Sequence, residues 1–279
     1  MSQINPSGIY IVATPIGNLA DISLRALNIL KLVDLILCED TRVSGNLLSH
    51  YNIKKPLLSY NDHNASDRRP EIWAALENGK RIALISDAGT PLISDPGYKL
   101  VREALDRDFF VTAIPGASSV LSALCLSGLP SDRFLFAGFL PTKTEALKKH
   151  LGKFATVPAT LIFFESARRL DATLEAMINV FSDRPAAIVR EITKLYEESR
   201  RGSLSELLEQ IQKTGTLKGE IVIVVAPPQE TENIVSQHIE EQLSLLLASH
   251  SVKEAASILA EQTGKPRKEI YALALKIKG

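Results

Sequence analysis

The stretch Arg81–Gly97, RIALISDAGTPLISDPG, decides the reading of this chain. Its opening, Ile82-Ala83-Leu84-Ile85, is a short apolar run of the kind that forms a strand buried on both faces. The run stops at Ser86-Asp87-Ala88-Gly89-Thr90-Pro91, and a helix is expected to follow from Asp95 or Pro96. Open α/β sheets bind ligands at the carboxyl ends of their strands, which is where this loop of small residues falls. Gly89 permits close backbone approach or a positive φ, and Pro91 stiffens the exit. Asp87 sets a carboxylate beside the loop. A plain strand-to-helix turn, with Asp87 and Thr90 as local caps, is the competing explanation at this point.

Outward from this stretch the same alternation recurs. Strands are expected at Gly8–Ala13, Val33–Cys38, Pro56–Ser59 and Phe109–Ile114, with helical patterns between them. Asp21 or Ser23 can cap the first helix, and Pro115–Ser119 is another small-residue loop before a helix. The alternation predicts a mostly parallel sheet covered by helices on both faces. Ser, Gly and Pro interrupt it at Leu126–Arg133, after which a second α/β unit begins. That unit has strands expected at Phe134–Gly138, Thr160–Phe164, Ala187–Val189 and Glu220–Val225, and an antiparallel arm at Leu195–Arg201. Ser203–Glu206 has capping-box spacing and opens a helix. The expected domains are residues 1–125, 126–228 and a helical extension at 229–279. Within that extension, Ser251–Gln262 and Arg267–Ile277 flank a turn, and six Lys/Arg face three Glu from Lys253 onward. Such a pair of helices is either a packed appendage or a helix-turn-helix-like RNA contact.

The chain has 279 residues, enough for a sizeable core. Lys plus Arg and Asp plus Glu are equal at 32 each, so no global field draws it to nucleic acid or membrane. No apolar run reaches transmembrane length and the opening residues lack a secretory pattern, so a cytoplasmic protein without a membrane partner is expected. Cys38 and Cys125 lie in apolar contexts and are expected as buried, reduced thiols. The sequence has no G-x-x-x-x-G-K-[ST] phosphate loop, no G-x-G-x-x-G fingerprint and no G-x-S-x-G elbow. No His/Cys cluster has zinc spacing, so no metal is expected. What remains is a pocket at strand ends for a small, partly apolar ligand held largely by backbone groups.

The loops, in order, resemble the tetrapyrrole methylase superfamily, the class III S-adenosylmethionine-dependent methyltransferases. The words that carry the likeness are TPIGNLADI (Thr14–Ile22), CEDTR (Cys38–Arg42), SDAGTPLISDPG (Ser86–Gly97) and IPGASS (Ile114–Ser119). GLPSDRF (Gly128–Phe134), GFLP (Gly138–Pro141), FFESARR (Phe163–Arg169), REITK (Arg190–Lys194) and KGE (Lys218–Glu220) continue it. Over residues 8–226 the closest likeness is to the branch that methylates a cytidine 2′-hydroxyl in 16S rRNA. The helical tail also resembles the extension of that branch's longer members. The resemblance implies two α/β domains with S-adenosylmethionine in the cleft between them, and a homodimer acting on 16S rRNA within the small ribosomal subunit. Thr90 stands where tetrapyrrole-methylating members carry an acidic residue. That replacement points away from a tetrapyrrole substrate, so a small-tetrapyrrole methylase is the enzymatic runner-up, and a non-catalytic ribosome-assembly protein with a vestigial pocket is the other alternative.

By the same alignment Ala88, Gly89, Thr90 and Ile93, beside Asp87, are expected at the cofactor. Ser118 and Ser119 meet it from the next loop, Pro15 lines the floor, and Gly219 and Glu220 close the far side. Methyl transfer to a ribose hydroxyl needs alignment and a group that takes or stabilises its proton. Glu191 with Lys194 is the favoured catalytic pair, with His63 of the Asn61–Asn64 cluster behind it. A structural ion pair and an Asx-type turn are the respective alternatives. Lys143, Lys148, Lys149, Arg168 and Arg169 are the candidate RNA contacts, against the alternative of a solvated basic face.

Overall fold

The computed structural model describes residues 6–215, 218–228, 242–248, 250–264 and 266–278. Five short strands form the first sheet: β1 (Gly8–Val12), β2 (Leu35–Cys38), β3 (Leu57–Ser59), β4 (Arg81–Leu84) and β5 (Phe110–Ile114). Their order is β3-β2-β4-β1-β5 and every pairing is parallel. Alternate residues of the central strands serve opposite faces, as the two-residue repeat of a strand requires. Tyr10, Ile36 and Ala83 pack under helices α1 (Leu24–Leu32) and α2 (Thr41–His50). Ile9, Leu37 and Ile82 pack under α3 (Ala65–Glu77) and α4 (Tyr98–Asp106). Ser23 caps α1 by accepting from the Ala26 N–H.

The second sheet is mixed, ordered β6-β7-β10-β8-β9. Its strands are β6 (Phe134–Phe139), β7 (Thr160–Ser166), β8 (Pro185–Arg190), β9 (Glu198–Ser203) and β10 (Glu220–Val225). Only β6 and β7 run parallel; β9 pairs antiparallel with β8, so the arm expected at Leu195–Arg201 forms, with its strand starting at Glu198 and Leu195–Tyr196 in a turn. One face is covered by α6 (Thr144–Gly152), α7 (Leu170–Phe181) and α8 (Leu204–Thr214). The capping box at Ser203 and Glu206 opens α8. The other face is covered from the first half of the chain: Val120, Ala123 and Leu124 of α5 (Ser119–Ser127), with Ile16, pack on Ile162, Val189, Val222 and Val224. Both sheets thus belong to one compact unit, Met1–Pro227.

Two local expectations differ. The helix after the Arg81–Gly97 stretch begins at Tyr98, because Leu92 (φ 74°) and Ser94 (φ 64°) are left-handed and Gly97 is its N-cap. Cys38 is buried but Cys125 is exposed, since α5 turns Val120, Ala123, Leu124 and Ser127 inward and leaves Cys125 on the opposite side.

The second unit is Pro228–Gly279. Residues 242–247 are helical, and helices Val252–Thr263 and Arg267–Lys278 flank a turn at Gly264 (φ 68°). Ser251 and Glu254 form a capping box, and Leu243, Ala256, Leu259, Ile270 and Ala274 make a small core. The first part of the expected helical extension, residues 229–241, lies outside the described residues.

Phe163 is fully buried beside Phe154 and Phe181 in the core beneath α6–α8. Phe163→Ala is expected to cost about 3–5 kcal/mol of stability through lost burial and a residual cavity, read by urea denaturation.

Candidate functional site

Loops from β1, β4 and β5 meet at the carboxyl edge of the first sheet. Gly89 donates its N–H to the Thr14 carbonyl (3.1 Å) and Thr14 donates back to the Gly89 carbonyl (2.8 Å), an isolated antiparallel bridge between the β1 and β4 loops. The Thr14 hydroxyl adds a bond to the Ser86 carbonyl (3.1 Å), and the Thr90 hydroxyl donates to the Ala117 carbonyl (3.2 Å). Gly89 has φ 84°, and a Cβ there would press on Ile16 at 3.3 Å. A residue with a side chain would be strained at this φ and crowded as well.

These tied loops form one wall of a cavity of about 280 Å³. Asp87–Thr90, Ile93–Asp95, Ser118–Val120 and Ile16 come from the first half of the chain. Phe139, Phe164, Glu165, Ile192 and Glu220–Val222 close it from the second. The lining is largely apolar, and among the described residues its charged members are the acids Asp87, Asp95, Glu165 and Glu220.

The four acids differ. Glu165 is buried and saturated: it accepts from the Ser166 N–H (2.7 Å) and the Thr173 hydroxyl (2.7 Å) and pairs with Arg169 (3.2 Å). Glu220 is paired with Lys194 at 3.0 Å. Asp87 accepts from the Asp40 N–H at 3.3 Å. Burial pushes the Asp95 carboxyl up to about 6; the neighbouring Ser86 hydroxyl works against this, and the Glu39 and Asp87 charges add to it.

Of the ten residues expected at the cofactor, Asp87, Ala88, Gly89, Thr90, Ile93, Ser118, Ser119 and Glu220 share this cavity. Pro15 lines a second depression, described below, and Gly219 is the residue before the lining residue Glu220. Of the expected catalytic residues, Glu191 and Lys194 adjoin the lining residue Glu220 and are not themselves in the lining. Glu191, at φ 50°, accepts from the Glu220 N–H (3.0 Å) and from Lys194 Nζ (3.0 Å). These bonds hold its carboxyl below the usual range, the Glu220 N–H contributing most. Lys194 joins Glu191 to Glu220, and its stem lies where a Cβ on Gly17 would have to go. The pair is therefore a clip that fixes the Gly219–Glu220 wall. His63 belongs to a local turn in which the His63 and Asn64 N–H groups donate to Asn61 Oδ1.

Among the expected RNA contacts, Lys143, Lys148, Lys149 and Arg168 are exposed, Lys148 with Glu145 at 4.0 Å. Arg169 is turned inward, donating to the Leu140 and Pro141 carbonyls and pairing with Glu165. The lining residues Ser94, Asp95, Phe139, Phe164 and Ile192 were not legible as site residues. Asp95 sits in the same word as Asp87, and the β-bulge that turns Phe139 toward Phe164 has no sequence signal beyond Gly138.

The profile of the family described as Tetrapyrrole (Corrin/Porphyrin) Methylases matches residues 8–208, and that of the RsmI C-terminal HTH domain matches residues 235–278. A relative from Mesorhizobium japonicum, named ribosomal RNA small subunit methyltransferase I, is 49% identical over 97% of this chain and 92% of its own length. One of the same name from Rickettsia prowazekii is 44% identical over 99% of each. The chain belongs to the ribosomal RNA small subunit methyltransferase I family. Its α/β unit also shares the fold of uroporphyrin-III C-methyltransferase from Thermus thermophilus, solved in complex with S-adenosylhomocysteine. That likeness has a TM-score of 0.53 at 20% identity and covers 78% of this chain and 96% of the other. The two-sheet fold thus places the cavity of this chain where strand ends of both sheets converge.

A Cβ on Gly219 (φ 97°) would collide with the Glu191 carboxylate. Gly219→Ala is expected to break the clip and cost more than about 1 kcal/mol, read as a lower midpoint of thermal unfolding.

Proposed function

We propose that this protein transfers the methyl group of S-adenosylmethionine to the 2′-hydroxyl of a cytidine in 16S rRNA of the small ribosomal subunit. The observation that carries this is the acid-lined, apolar cavity between the two sheets, in a chain that aligns end to end with proteins named for that RNA. Bound S-adenosylmethionine supplies an electrophilic methyl group on a positively charged sulfur.

The residues present fit it. The volume lies near the lower end of the ~300–1,000 Å³ typical of small-molecule sites. The apolar side chains suit a nucleoside, and a wall charged only by acids suits a cation. Asp87 and Asp95 are the acids with room to act, since Glu165 and Glu220 have charged partners. Ser118 and Ser119 sit at the start of α5, where a carboxylate is favoured by the helix dipole. Glu191 and Lys194 act as positioning residues that hold Glu220 against the cavity. Lys143, Lys148, Lys149 and Arg168 offer phosphate contacts, and the subunit's shape supplies most of the selectivity. The reading includes a homodimer working in the cytoplasm. Among the described residues no helix is long and apolar enough to cross a membrane.

Small subunits from a strain lacking the gene are expected to lack one 2′-O-methylcytidine, restored by the purified protein and S-adenosylmethionine and read by mass spectrometry of 16S rRNA. No S-adenosylmethionine binding in calorimetry would favour a non-catalytic assembly role. Affinity is also expected to depend on pH. Protonated Asp95 is neutral and offers the cation nothing, so affinity rises as pH climbs through about 6 and levels above it. Asp95→Asn is expected to flatten this rise in titrations from pH 5 to 7.5.

A further inference from the structure

A second depression of about 280 Å³ lies beside the cavity, on the β1-loop and α2 side of the same unit. Asp87 lines both. Leu19, Val43 and Leu47 give it apolar surface, and Ser44 and Asn46 give it polar groups.

Ser44 is 1% exposed, and its hydroxyl lies against the Cys38 thiol, which also reaches the Leu58 carbonyl (4.0 Å). The Asn46 carboxamide is exposed on this side and carries both a donor and an acceptor.

Resting on the function proposed above, we infer that this depression seats the acceptor nucleoside, a single ribonucleotide drawn out of its stack. Single-stranded RNA is read by packing unstacked bases against side chains and bonding their edges. The apolar side chains supply the packing surface and Asn46 a partner for a base edge that has both a donor and an acceptor. Asp87 stands at the junction, the one carboxylate common to both spaces, and is the group placed to accept the 2′-hydroxyl proton. As the ribose oxygen bonds the methyl carbon, the carbon–sulfur bond breaks with its electron pair kept by sulfur, which becomes neutral. The hydroxyl proton passes to Asp87.

Two variants of the full-length protein test this: Asn46→Ala, which removes the carboxamide, and Leu47→Trp, which fills the depression. Substrates are small subunits from the deletion strain, with S-adenosylmethionine binding measured separately by calorimetry and folding by thermal unfolding. Asn46 is exposed, so its variant is expected to unfold at the wild-type temperature. The expected result is a fall of tenfold or more in kcat/KM for subunits in both variants, with S-adenosylmethionine affinity within twofold of wild type. Wild-type methylation by Asn46→Ala would overturn the inference. So would a loss of S-adenosylmethionine affinity in step with methylation, which would assign the depression to the cofactor. Failure of the broader function reads differently, as wild-type protein that neither binds S-adenosylmethionine nor methylates, and it would remove this inference too.

Discussion

The reciprocal hydrogen bonds between Thr14 and Gly89 are the constraint on which the site depends. The carboxyl ends of β1 and β4 are neighbours in a parallel sheet, yet the loops leaving them would ordinarily splay toward different helices. The two bonds hold them together beyond the last regular pair. The Thr14 hydroxyl on Ser86 and the Thr90 hydroxyl on Ala117 extend the seam from the β1 loop to the β5 loop. Backbone groups tied in this way are both satisfied and fixed, so the wall needs few long side chains. That is why Ala88, Gly89, Thr90, Ser118 and Ser119 can make up so much of it.

The opposite wall is built on different principles. Glu191 and Thr193 take left-handed conformations that β-branched and long residues adopt at a cost. The cost is offset where Glu191 meets the Glu220 N–H and Lys194. A second acidic clamp, Glu165 with Ser166, Thr173 and Arg169, braces the Leu140–Pro141 segment that follows β6. Charge on this side is spent on architecture, which leaves Asp87 and Asp95 on the other side as the acids open to chemistry.

The parts of this arrangement that follow local rules were legible in the sequence. Apolar runs of four or five residues ending in small-residue loops pointed to the parallel sheet, Ser203 marked a helix start by its spacing to Glu206, and Ser23 was one of two caps offered for the first helix. The loop residues Asp87–Thr90 and Ser118–Ser119 were legible because strand ends of one sheet share an edge. The contacts of Glu191, Lys194 and Arg169 were not, because a charged residue after a strand looks the same whether it faces a ligand or a carbonyl of its own chain. Phe139, Phe164 and Ile192 were hidden for another reason: their place in the cavity depends on how the second sheet meets α5, a long-range fact. Cys125 was misread because apolar neighbours in sequence are not neighbours on a helix.

The position of α5 has a consequence for biosynthesis. Its Val120, Ala123 and Leu124 are made with the first sheet but covered by the second, whose central strand β10 is the last to be translated. At ~5–20 residues per second of synthesis, this apolar stripe waits several seconds for its cover. The nascent first half is therefore a natural client for a holding chaperone, and the chain attains its native core only once Glu220–Val225 has left the exit tunnel.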